Sequence, residues 1–310
     1  MRVDPAPARS VTAAPIGADQ PLRGTHALRS PRLGRWSMGI LAMSQTLGSL
    51  GEEIGRAVAG ALSYEYIDRE IVLRAGAEFG EDVAILEHLT EARPTLWERL
   101  SESRRRYLAY VESVIWELAA RDNVVLVGRG APFVLQGVPH ALRLRVSAPG
   151  AIRVRRMESS QGLTPDAAEV VRHSDRERAA RIRFLYNVDW DAPVHYDLVL
   201  STERLDVPTA TALVLAAFEA PRLTATPEAQ AEVRDRSLLA RAQAALLANP
   251  VTRDIELFLQ CSGGHLSVSG RVSRDDQRRA TEAIVALLPG AARISCEIAV
   301  VPPLFTPTPP

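Results

Sequence analysis

The run Val124-Val125-Leu126-Val127 has no polar position at which one face could meet water. A strand of this kind has to be covered on both faces, which is the condition of a central strand in a parallel sheet flanked by helices. Three further segments have strand length: 37–44 (SMGILAMS), 142–149 (LRLRVSAP) and 196–202 (YDLVLST). A short extended piece falls within 64–76. Between these segments apolar residues recur at three and four, as in Ile54, Val58, Ala61 and Leu62, and again in Tyr107, Val111, Val114, Ile115 and Leu118. That is the period of a helix with one buried stripe. Strands alternating with helices predict an α/β fold, a parallel sheet with helices on both faces.

The pattern changes after residue 220. Segment 221–231 reads as a linker, and 232–302 as a smaller α+β unit in the order αββαβ. Its helices are expected at 236–248 and 273–288, the second capped by Ser273, and its first two strands are joined by the turn Gly263-Gly264. A chain of 310 residues has room for about two domains, here 37–220 and 232–302. Residues 1–36 hold five Pro, six Ala and six Arg and read as a tail, either a solvated arm or a segment touching an acidic partner. Residues 303–310 are a second, Pro-rich tail.

Charge narrows the chemistry. Basic and acidic residues balance at 37 each, so a dedicated nucleic-acid binder is not expected. All 37 basic residues are arginine. Schiff-base chemistry and the lysine of a standard Walker loop are therefore excluded. Cys261 and Cys296 form no CxxC pair, and the six histidines have no HxxxH spacing, so no protein-held metal is expected. With no apolar stretch of membrane-spanning length and no leader-like start, the expected location is the cytoplasm.

The strand at 37–44 leads into a turn with Gly48, Ser49 and Gly51, and then into the helix carrying Ile54 and Val58. Strand, glycine turn and helix form the geometry of a phosphate-binding loop, where backbone N–H groups and a helix N-terminus meet an anion. Arg129, just after the central strand, points at the carboxyl edge of the sheet, where ligands of α/β proteins bind. The segment with Asp175, Arg176, Arg178, Arg181 and Arg183 carries a dense arginine face; taken alone it is an exposed, salt-bridged helix surface. The run Arg104–Arg106 reads as a solvated face.

Taken in order, these motifs resemble the cytidylate kinase-like family. The matching pieces are Ser44–Ile54 (SQTLGSLGEEI), Tyr66–Glu70 (YIDRE), Val127–Ala131 (VGRGA), Ala148-Pro149, Asp175–Ala179 (DRERA), Asp189-Trp190 and Tyr196–Thr202. The resemblance implies a P-loop kinase-like domain that uses ATP and Mg2+. It assigns Gly48, Ser49, Gly51, Glu52 and Glu53 to the cofactor, and Asp68, Arg129 and Asp175 to the nucleotide acceptor. Arg178 and Arg181 become the catalytic arginines of a lid, neutralising charge on the transferred phosphoryl group.

The chain departs from the family pattern at the loop. Leu50 replaces a glycine, Glu52 replaces an arginine, and Glu53 stands where a Walker Ser or Thr would be. Two readings follow. Either phosphoryl transfer persists, with Glu53 as an oxygen ligand for magnesium, or the kinase fold is a degenerate scaffold for regulation or ligand sensing. The segment 232–302 resembles a BON domain through Gly263–Val272, Asp275–Ala280 and Leu288–Ile294. That resemblance implies a small ligand or a membrane surface as partner, with Cys261 and Cys296 as small buried residues.

Overall fold

The computed structural model describes residues 39–83, 101–161 and 166–301. The two expected tails lie outside the described residues, as do Pro94, where the sequence predicts a break in a helical pattern, and Thr164-Pro165, where it predicts a helix start. Five strands, β1 (Ile40–Gln45), β2 (Glu65–Ile67), β3 (Val124–Val127), β4 (Ala141–Ser147) and β5 (Leu198–Ser201), form one sheet in the order β2-β3-β1-β4-β5. Every pairing in it is parallel. Helices α1 (Gly51–Leu62), α2 (Glu70–Phe79), α3 (Ser101–Ala119), α4 (Ala131–Val134), α5 (Gly150–Gln161), α6 (Ala167–Tyr186) and α7 (Val207–Phe218) accompany it.

The alternation of side chains along β1 and β3 builds two cores. Ile40, Ala42, Val124 and Leu126 face one side, where Ile71 and Val72 of α2 and Val111, Val114 and Ile115 of α3 cover them. Leu41, Met43, Val125 and Val127 face the other, against Ile54 and Val58 of α1 and Ala210 and Val214 of α7. Both faces of the central strands are thus sealed, as the unbroken apolar run requires. Of the arginine run on α3, Arg105 is exposed as the sequence predicts, but Arg104 and Arg106 are not. Arg104 donates to the Leu185 carbonyl and lies over the Phe184 ring, and Arg106 pairs with Glu81 at 2.7 Å. Their long stems cover apolar surface while the charged ends find local partners.

Beyond the parallel sheet run α8 (Pro227–Ala248), β6 (Leu257–Ser262), β7 (His265–Val272), α9 (Asp275–Ala286) and β8 (Arg293–Val300), the expected αββαβ order. β6 pairs antiparallel with β7, and β7 parallel with β8. α8 begins well ahead of the expected 236, inside the segment read as a linker. Pro227 occupies its first turn and the Thr226 side chain accepts from Ala229 N–H, both helix-start features. Ser273 does not cap α9; its hydroxyl donates to Gln277 Oε1, which also accepts from the Arg274 N–H. Among the described residues no helix is long and apolar enough to cross a membrane.

α8 serves two cores at once. Val233, Ala244 and Leu247 join the core containing α2 and α3, whereas Leu238, Ala242 and Leu246 pack with Leu266 and Val268 of β7 and Val285 of α9. Its Arg241 pairs with Glu117 of α3 at 2.7 Å. The same helix fastens the hairpin: Asp235 accepts from Gly263 N–H at 2.6 Å and Gly264 N–H at 2.7 Å. Gly263 and Gly264 both have positive φ, 58° and 75°, so the carboxylate holds a turn that other residues would strain. Asp235→Ala strands two turn N–H groups and is expected to cost about 1–3 kcal/mol, read as a lower urea midpoint with an unchanged m-value.

Candidate functional site

β1 ends at Gln45, and the chain turns through Thr46–Leu50 into α1. Gly48 has φ 74° and Leu50 φ 61°. Leu50 is the N-cap of α1 in a left-handed conformation that costs an L side chain about 1–2 kcal/mol. The loop holds this shape because neighbouring side chains take its carbonyl groups. Arg178 donates to Gln45 O at 2.7 Å, Arg153 to Leu47 O at 3.2 Å, and Arg156 to Gly48 O at 3.2 Å. The Thr202 hydroxyl donates to Ser49 O at 2.8 Å, and the Ser49 hydroxyl to Thr46 O at 2.7 Å. Space is tight as well: a Cβ on Gly48 would lie 3.0 Å from Arg153 O.

A cavity of about 500 Å³ opens over the loop, lined by Gly48, Ser49, Gly51, Glu52 and Glu53 and faced by Arg155, Arg156 and Arg178. Glu52 does not stand bare in it. Its carboxylate pairs with Arg56 one turn along α1 at 2.8 Å, and Arg56 in turn lies over the Tyr66 ring. Among the described residues no group of three His, Cys, Asp or Glu comes together in a metal-ligating arrangement.

Next to it, at the carboxyl ends of β1, β2 and β3, lies a larger crevice of about 1020 Å³. Asp68, Arg129, Arg178, Arg181, Tyr107 and Trp190 are among its lining residues. Among the described residues neither Arg129, Arg178 nor Arg181 forms an ion pair with a carboxylate. Burial lowers Arg178, and it brings Arg181 down to about 10, with Arg129 and Arg178 adding repulsion. Burial raises the Asp68 carboxyl, against the opposing pull of Arg129. Arg129, Arg178 and Arg181 thus bring positive charge into the crevice without a close ion pair, balanced in part by Asp68 and Glu177 on the same lining; guanidinium groups so placed favour an anion between them.

Arg129 itself sits at φ 52° between Gly128 and Gly130, both also at positive φ. Tyr186, at the end of α6, keeps it there. Its hydroxyl donates to Arg129 O at 3.2 Å, and its ring rests so close on Gly130 that an added Cβ would lie 2.3 Å away. Strain concentrated on a cavity-facing arginine is the kind of backbone cost found at ligand sites.

Not every candidate meets in the two cavities. Gly48, Ser49, Gly51 and Glu53 line the first, and Asp68, Arg129 and Arg181 the second; Glu52 and Arg178 line both. Asp175 lines neither. It accepts from Arg153 at 2.6 and 3.1 Å, tying α6 to the loop that the same guanidinium holds through Leu47 O. On the surface of α6, Arg176 pairs with Glu169 and Arg183 is exposed, as a solvated helix face would be. Arg153, Arg156 and Tyr186 carried no signal in the sequence beyond lying near matched motifs; Thr202 closes one such motif, and Tyr107 reads only as a position on the apolar stripe of α3.

The match to known proteins follows these elements. Residues 40–204 fit the family model for the cytidylate kinase-like family. The chain belongs to that family. Its similarity to the cytidylate kinase of Halobacterium salinarum is 27% identity over 184 residues, 58% of this chain and 90% of the relative. The cytidylate kinase of Methanocaldococcus jannaschii is 32% identical over 107 residues, 33% of this chain and 60% of the relative. Among solved structures, an uncharacterized protein from Eubacterium ventriosum superposes with a TM-score of 0.46 at 17% identity, over 58% of this chain and 98% of the other. Shikimate kinase from Bacteroides thetaiotaomicron superposes with a TM-score of 0.39 at 15% identity, over 59% and 99%. Membership sets the class as nucleotide kinase-like.

Behind Tyr186, burial pushes the Glu112 carboxyl of α3 from 4.5 up to about 7. A carboxyl raised in the folded state takes up a proton on folding, so its contribution to stability falls as pH rises from about 4.5 to 7 and is level above. Glu112→Gln is expected to remove that slope. At pH 8 the variant should be more stable by on the order of 2 kcal/mol after allowance for solvent screening, measured by urea unfolding across pH 4.5–8.

Proposed function

We propose that this protein transfers a phosphoryl group from ATP to a nucleoside monophosphate bound in the crevice beside Arg129. The observation that carries the reading is Arg178. It lines both the loop cavity and the crevice, spends one N–H on Gln45 O, and among the described residues forms no ion pair, Asp68 and Asp175 attracting it only from further off. A cation shared by two adjoining cavities suits a group that passes from one to the other. In a chain without lysine it also supplies the positive charge that the loop lacks.

The residues present fit ATP and magnesium in outline. With the carbonyls of Gln45, Leu47, Gly48 and Ser49 taken by side chains, the loop favours an anion over a cation. Magnesium commonly takes one or two protein carboxylates together with phosphate oxygens, and Glu53 is the loop carboxylate without an ion pair among the described residues. ATP would supply the phosphoryl group. Arg129 and Arg181 would hold the acceptor phosphate, Asp68 its polar part, and Arg178 the charge in transit.

A second reading, a regulatory kinase fold whose 232–302 unit is BON-like and takes a small ligand or membrane surface, is favoured by the two loop glutamates and the strain at Leu50. Incubation with γ-labelled ATP, magnesium and a panel of nucleoside monophosphates including CMP separates the two. The transferase reading expects a labelled diphosphate and a fall in kcat of at least about a hundredfold in Arg178→Met. Binding of ATP or CMP with no transfer to any acceptor would overturn it in favour of the second.

A further inference from the structure

Tyr107 is only 1% exposed and lines the crevice, yet among the described residues nothing accepts the proton of its hydroxyl; the one group that approaches the oxygen to hydrogen-bond is the Arg129 guanidinium, a donor. Buried hydroxyl groups in native proteins are almost always partnered, and an exception calls for a reason. The charged neighbours of this one are Arg129 and Arg181. A guanidinium donates and never accepts, so neither can take the phenolic proton. The oxygen can only receive from them. Among the described residues the proton is left without an acceptor.

We propose that Tyr107 is a substrate-binding residue, its hydroxyl donating to an oxygen of the phosphate that Arg129 and Arg181 hold. Two guanidinium groups and one neutral donor then surround one anion. Burial keeps the phenol protonated, so that it remains a donor at working pH. The position suits the task, because α3 is packed against the sheet and α2 and is braced by Arg104 to the end of α6. A donor so fixed needs little ordering when the anion arrives. The assignment of the anion as the acceptor's phosphate rests on the function proposed above; the anion site itself does not.

Tyr107→Phe deletes the hydroxyl and keeps the ring. Wild type and variant would be titrated calorimetrically with CMP, with cytidine and with inorganic phosphate, and their melting temperatures compared. The expected result is CMP and phosphate binding weaker by about tenfold, cytidine binding unchanged, and a melting temperature equal to or above wild type. The last point separates binding from structure, since a hydroxyl with an acceptor in the protein would lower stability on removal. Equal affinity of the two proteins for CMP and phosphate, or an equal loss for cytidine and CMP, overturns the proposal. If wild type binds phosphate but no nucleoside monophosphate, and Tyr107→Phe weakens phosphate, the transferase reading falls while the anion site stands. If wild type binds neither, both fall.

Discussion

Arg153 is the fixed point from which the site is built. It is buried, and its planar fork reaches three places: Ala148 O at 2.9 Å, Leu47 O at 3.2 Å and both oxygens of Asp175. One guanidinium thus joins the end of β4, the phosphate-type loop and helix α6. A lysine could not do this, since its ammonium is a point charge without the rigid fork. The exclusive use of arginine in this chain has a structural consequence here. α6 carries Arg178 and Arg181 into the crevice, so the anchor that sets the loop also sets the distance between loop and crevice arginines.

The loop's departures from the family pattern look different once neighbours are in place. Glu52 reads in sequence as a negative charge at the mouth of an anion site. In the fold Arg56 takes it at 2.8 Å and is itself stacked on Tyr66, so that part of the charge is spent locally. The pair is more than half exposed on both sides and is screened accordingly. Leu50 keeps the left-handed backbone that a glycine would adopt freely, and the capped carbonyls around it hold that shape. The loop geometry is therefore maintained by the surroundings rather than by local propensity.

The small mixed sheet is tied to the kinase-like sheet through α8, whose two faces enter two cores. That helix packs on α3, the element that carries Tyr107 into the crevice. The two cores thus meet along one helix that also packs on the wall of the crevice.

The sequence by itself determined the parallel α/β class, since an unbroken Val124–Val127 run has to be covered on both sides. It also determined the glycine turn after β1, the place of Arg129 beyond a central strand, and the αββαβ order of the last segment. These are local matters of period, turn chemistry and strand ends. Tertiary structure decided what depends on partners distant in the chain. Asp175 went to Arg153 and away from the cavities, and Asp235 reached a hairpin it does not adjoin in sequence. Arg104 and Arg106 left solvent for Leu185 O and Glu81. The missing acceptor for the Tyr107 hydroxyl could not be read either, because in sequence it is one more apolar position on a helical stripe. Periodicity shows which face is buried; what a buried polar atom meets is settled only when other elements close over it.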